Sequence, residues 1–206
     1  MSIFNKDCKT QNTLNLLISS VFHDLGNCVS LLSLLVEVNR DDPKAFDFNE
    51  LLEVNSRMLI NLRVLQYMFL QGSKGARALA DIEQYLLYKG KKVVFHFGIE
   101  SIQDEFFMLM LHSLLLLSRL LTDYAKIDVF ATNMELKFSV VCDVPIDEER
   151  LKLFDRITSS SEDEIALPEH YRSHLYYIKG LLVALGLRIN TAFEIKEFML
   201  RILPRD

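Results

Sequence analysis

The sequence predicts an α+β protein. An N-terminal antiparallel helical hairpin pairs into a dimeric four-helix bundle, and an α/β sandwich follows it. Three observations carry this expectation. The first 71 residues hold two leucine-rich helical patterns and almost no strand signal. The stretch "QGSKGAR", Gln71 to Arg77, then supplies two glycines and a serine, the best linker in the chain. Beyond it, helix-period and strand-period segments interleave to the C-terminus, as in a sheet with helices laid on it. The expected domains are a hairpin over 1–72 and a sandwich over 78–206.

The first helix is read from Leu14, Ile18, Val21, Leu25, Cys28, Leu32 and Leu35, which recur at alternating steps of four and three, a heptad seam. "NRDDPKAFDFN", Asn39 to Asn49, breaks it with a proline and turn residues. Leu51, Val54, Met58, Asn61, Leu65 and Met68 then repeat the spacing, with Asn61 as the polar interruption. Two such helices carry more apolar surface than they can bury against each other, so dimerisation is expected. The alternative is that the second domain covers the exposed face.

In the second domain the patterns predict a helix over 78–90, a strand over 92–98 and a long helix over 104–124. Strands over 126–133 and 135–143 follow, turning near Asn133 and Met134. A helix over 147–157 leads into the polar loop "TSSSEDEIA". Pro168 opens another helix, stopped by Gly186, before closing strands over 187–193 and 194–203. Tyr171, Leu175 and Ile178 are read as core-facing.

Composition narrows the function. Of 206 residues, half are apolar and a quarter charged, and the net charge of −5 argues against nucleic-acid binding. Cys8, Cys28 and Cys142 are scattered, with no CxxC spacing. That suits a reducing cytoplasm and offers no zinc site. The start of the chain lacks the layout of a signal peptide. The most apolar run, Phe106 to Leu121, falls short of the roughly 18–20 residues of a membrane span and contains His112 and Arg119. A soluble, cytoplasmic protein is expected, with no bound metal or cofactor.

Within the first helix, "FHDLGNCVS" places His23 and Asp24 among leucines. His23 lies two residues past Val21, about 200° around the helix, and so points away from the seam. Its surface neighbours are Ser19, Ser20, Gly26 and Asn27, with Ser30 one turn on, all small and uncharged. A cleared strip of this kind fits a surface that another protein must approach closely. A solvated face and a satisfied core histidine are the plainer alternatives. A metal site lacks ligand partners, and the i, i+4 pair His170 and His174 lacks a carboxylate companion. Asp24 is placed to fix the tautomer of the imidazole and leave the other nitrogen nucleophilic. If the hairpin turns near Pro43, position 23 lies level with 63 or 64. Arg63 and Gln66 would then stand near the imidazole, with Tyr67 lining a partner's groove.

"HDLGN" resembles the phosphoacceptor box of bacterial sensor histidine kinases at His23, Asp24 and Asn27, although Cys28 stands where that family usually has proline. The second domain is similar to the family's ATP-binding domain with its nucleotide site erased. In "VVCDVPIDEERLKLFDRI", Asp143 is kept, but Val144, Pro145 and Ile146 replace the glycine-rich backbone that would cradle phosphates. "MLHSLLLLSRLLTDY" lies where an asparagine would hold Mg²⁺, and has none. "HLYYIKGLLVALGLRIN" lacks the glycine pair at its start. This combination resembles the ChpT-type histidine phosphotransferases of alphaproteobacteria. The resemblance implies a phosphorelay intermediate without ATP-dependent kinase activity. His23 would carry a phosphoryl group between the receiver-domain aspartates of a hybrid kinase and a response regulator. Asp24 would orient the ring and Asn27 border the docking site, and Mg²⁺ would come with the receiver. Two competing readings remain: a dimeric scaffold that sequesters regulators, and a kinase with a divergent ATP site.

Overall fold

The structure is a computed structural model. It describes residues 8–41, 47–69, 75–98, 100, 102–121, 124–132, 134–146, 169–194 and 196–205, without the side chains of 8–21, 23, 24, 69 and 169–173. The helix expected over 147–157 and the acidic-serine loop lie outside these residues.

Two long helices open the chain, α1 (Cys8–Asp41) and α2 (Phe48–Phe69). Asp47 caps α2, its carboxylate accepting from the Asn49 N–H at 2.8 Å. The predicted seam is buried or half-buried at its described positions on both helices: Leu25, Cys28 and Leu32 are half-buried, and Leu35, Val54 and Met68 are buried. A second stripe on α2 (Ile60, Val64 and Tyr67) is also buried. It belongs to the same core cluster as the sandwich.

The sandwich comprises α3 (Ala76–Tyr88), β1 (Lys91–Phe95), α4 (Asp104–Leu120), β2 (Ala125–Ala131), β3 (Leu136–Cys142), α5 (Glu169–Leu185), β4 (Leu187–Phe193) and β5 (Glu197–Pro204). The strands form one mixed sheet in the order β1-β2-β3-β5-β4. β1 and β2 pair in parallel across α4, and the remaining pairs are antiparallel. Alternation along the strands buries one face only. Ile127, Val129, Phe138, Val140, Leu200 and Ile202 point inward, while Lys126, Asp128, Phe130 and Lys137 line the outer face.

α4 is the central helix, buried almost all round from Phe106 to Leu120, as its unbroken apolar run requires. Each fully buried leucine on it contributes about 1.5–3 kcal/mol. Around this core α2 packs against α3 and α4, and α1 packs against α5. The sandwich therefore covers part of the hairpin.

Element ends differ from expectation for local reasons. α3 stops at Tyr88 because Gly90 takes a positive φ of 73°, and Gly186, at φ 64°, ends α5 in the expected place. α4 ends at Leu120, short of 124, because the register of Lys91 with Ala125 draws the chain out into β2. β5 starts at Glu197 because the Glu194 N–H closes a tight turn on the Glu197 carbonyl at 2.7 Å. Leu175 and Ile178 are buried as expected, whereas the Tyr171 side chain lies outside the described residues.

Candidate functional site

Positions 23 and 24 lie in the middle of α1, about 23 Å along the helix from its first residue at 1.5 Å per residue. The side chains of His23, Asp24, Ser19 and Ser20 lie outside the described residues. Their neighbours Gly26, Asn27 and Ser30 are all exposed. A Cβ added at Gly26 would meet no atom within 4 Å. The helix surface beside position 23 is thus open, on the side away from the seam.

The hairpin register is fixed by the Asn61 amide, which donates to Cys28 Sγ at 3.5 Å. With 28 level with 61, position 23 lies level with about 66. The turn-based estimate of 63 or 64 is short by two or three residues, because α1 runs to Asp41 and α2 begins only at Phe48. Gln66 is exposed at that level.

Arg63 and Tyr67 instead turn toward α3. The Tyr67 hydroxyl donates to Asp81 Oδ2 at 2.6 Å, and Arg63 Nη1 donates to Asp81 Oδ1 at 3.3 Å. Arg77 Nε approaches the same carboxylate at 3.9 Å. Burial and the neighbouring Asp81 carboxylate push the Tyr67 phenol up to about 12, against the opposing pull of Arg77 and Arg63. Tyr67 is buried, so it does not line an open groove. It pins α2 to the sandwich.

The loop after β3 has no glycine, and its Asp143 carbonyl accepts from Lys196 Nζ at 2.8 Å. On α4, His112 and His174 of α5 meet with their Nδ1 atoms 3.1 Å apart, so one ring donates and the other accepts. Tyr177 stacks on His112 at 4.0 Å between centroids. Both histidines are buried, and among the described residues His112 Nε2 has no hydrogen-bond partner. Burial lowers the pKa of His112 to about 3. His174 is held well below its ordinary value by burial and then by the His112 and Arg119 charges. Both rings are neutral at pH 7. Sequence spacing paired His174 with His170; the fold pairs it with a residue 62 positions away. Among the described residues no group of three His, Cys, Asp or Glu side chains could hold a metal ion. No described helix is long and apolar enough to cross a membrane.

No family model matches the chain. No curated protein matches it at a significant level. Among solved structures, a bacterial phosphotransferase determined at 1.7 Å superimposes with a TM-score of 0.69, over 93% of this chain and 96% of that one, at 12% identity. The blue-light activated histidine kinase EL346 of Erythrobacter litoralis gives a TM-score of 0.38 at 15% identity, over 91% of this chain and 62% of that one. The histidine kinase AdeS of Acinetobacter baumannii gives 0.39 at 12% identity, over 87% of this chain and 95% of that one. The first likeness, extending over nearly all of both chains, establishes the fold: this chain shares the α+β architecture of a bacterial phosphotransferase, N-terminal helices followed by a mixed sheet with helices on one face.

Proposed function

We propose that this protein is a histidine phosphotransferase. His23 accepts a phosphoryl group from the receiver-domain aspartate of a hybrid kinase and passes it to the aspartate of a response regulator. The observation that carries the reading is the His-Asp box at mid-helix in α1, beside an open strip of small residues, within a fold matched along 93% of its length by a bacterial phosphotransferase. Asp24 holds one ring nitrogen and Asn27 borders the docking strip, where Ser19, Ser20, Gly26, Ser30 and Gln66 admit the partner. Phosphoryl transfer depends chiefly on positioning and charge stabilisation, so a docked receiver that brings its own Mg²⁺ can complete the site. The described core supports a role without ATP. Val144 and Pro145 stand where phosphate-cradling glycines would be needed, and His112 faces α5 on the helix that would otherwise carry a Mg²⁺ ligand.

The protein acts as a homodimer in this reading. Phe48, Leu52, Leu59 and Leu62 form an exposed apolar stripe on α2, and Phe22, Val29 and Val36 form another on α1. Pairing these stripes completes a four-helix bundle. Leu52→Lys with Leu59→Lys is expected to halve the mass seen by light scattering while leaving the circular dichroism unchanged.

The test of function uses a prephosphorylated receiver, Mg²⁺ and no ATP. Wild type is expected to show a phosphate-dependent gel shift that His23→Ala abolishes without unfolding the chain. Equal shifts in both proteins would refute the assignment. A thermal stabilisation by millimolar ATP would revive the kinase reading.

A further inference from the structure

Outside the hairpin, another histidine is held as a nucleophilic imidazole needs to be held. His96 directly follows β1, and its backbone N–H extends the pairing with β2 by donating to the Val129 carbonyl at 2.9 Å. Its Nε2 lies 2.7 Å from Asp128 Oδ1. The Phe130 ring stacks on it with 4.4 Å between centroids and 8° between planes. One contact fixes the ring from its edge and the other from its face. With Nε2–H donated to Asp128, the tautomer is set and the lone pair resides on Nδ1. Among the described residues Nδ1 has no hydrogen-bond partner, and the side chain is 40% exposed. Ammonium groups flank the strip: Lys126 Nζ is 2.8 Å from the second Asp128 oxygen, and Lys137 Nζ lies 5.3 Å from the Phe130 ring centroid. Lys126, Asp128 and Phe130 alternate along β2, so the whole strip occupies the outer face of the sheet.

We propose that His96 is a second phosphoryl-accepting histidine, modified at Nδ1 by acyl phosphates. The Nδ1 lone pair forms the N–P bond while the P–O bond to the acyl group breaks, and the carboxylate departs with that electron pair. The ring keeps its Nε2–H and becomes cationic, and the Asp128 carboxylate offsets that charge at 2.7 Å. Asp128 stays ionised for this role. Partial burial raises its pKa, but the hydrogen bonds from Lys126 and His96 and the Lys126 charge outweigh that and lower it. The linkage follows from the geometry: Asp128 occupies Nε2, so the adduct is Nδ1-phosphohistidine.

The reading stands apart from His23, and the experiment keeps the two separate. Full-length wild type and the variants His23→Gln, His96→Asn and Asp128→Asn, each checked by circular dichroism, are incubated with acetyl phosphate. Mass spectrometry locates the label and ³¹P NMR identifies the linkage. Nδ1-phosphohistidine at residue 96 is expected in wild type and in His23→Gln, and is absent from His96→Asn. Asp128→Asn should form it on the order of 10–100-fold more slowly, the range for losing a group that orients a histidine. An unmodified His96, an Nε2 linkage, or a rate indifferent to Asp128→Asn overturns the proposal. Label at residue 23 alone overturns it too, and leaves the relay reading intact.

Discussion

Helices α1 and α4 both carry a histidine within a leucine-rich run, and the two runs present opposite surroundings. α4 is buried on nearly every side, so His112 has no solvent-facing position to occupy. It becomes neutral, stacks on Tyr177 and shares one hydrogen bond with His174. α1 is amphipathic, and the phase of its seam leaves the strip beside position 23 exposed at Gly26, Asn27 and Ser30. Leucine content alone therefore says little about a histidine. What matters is whether the apolar stripe wraps the helix or runs along one side of it.

Acid should break this contrast most strongly on the α4 side. The unfolded chain binds protons at both histidines as pH falls below 6.5, whereas the native pair, with His112 at about 3, stays neutral. The unfolded state then holds more protons, so stability falls as pH drops through 6.5. His112 contributes about 1.4 kcal/mol per pH unit and removes about 2 kcal/mol by roughly pH 5, and His174 acts in the same direction. Urea titrations across pH would show this, and a His112→Leu/His174→Leu double variant should flatten the slope.

A smaller effect comes from removing one ring only. His112→Leu strands the His174 Nδ1 in the core and should cost about 1–3 kcal/mol, while adding His174→Leu recovers part of that loss. A double variant no more stable than the single one would mean that the pair's hydrogen bond contributes little. Tyr67→Phe ranks next, at about 1–1.5 kcal/mol, since Asp81 keeps Arg63 as a partner. On the open strip, Ser30→Ala should change stability by no more than about 0.5 kcal/mol. Ser30→Lys should slow transfer from a receiver at unchanged stability, which would sharpen the assignment of that strip to docking.

Much of this was legible in the sequence. Heptad spacing located both long helices, and strand alternation located five strands to within a few residues. Helix and strand ends shifted where backbone geometry decides them, at Gly90 and in the turn before Glu197. The proposed His-Asp box is a reading of the sequence alone, open to it because its residues are neighbours on one helix. The tertiary sites were not legible there. Tyr67 and Asp81 are 14 positions apart, His96 and Asp128 are 32 apart, and His112 and His174 are 62 apart. No periodicity records such pairs, because they form only when separate elements pack. The second buried stripe on α2 was likewise hidden behind the stronger seam signal.

The most direct test of the central claim is a reconstituted relay. A hybrid-kinase receiver carrying radiolabelled phosphate is mixed with its cognate response regulator, with and without this protein, in Mg²⁺ and without ATP. Wild type is predicted to carry label to the regulator, and His23→Gln, folded and equally associated, to carry none. Transfer that proceeds equally with His23→Gln would contradict the account.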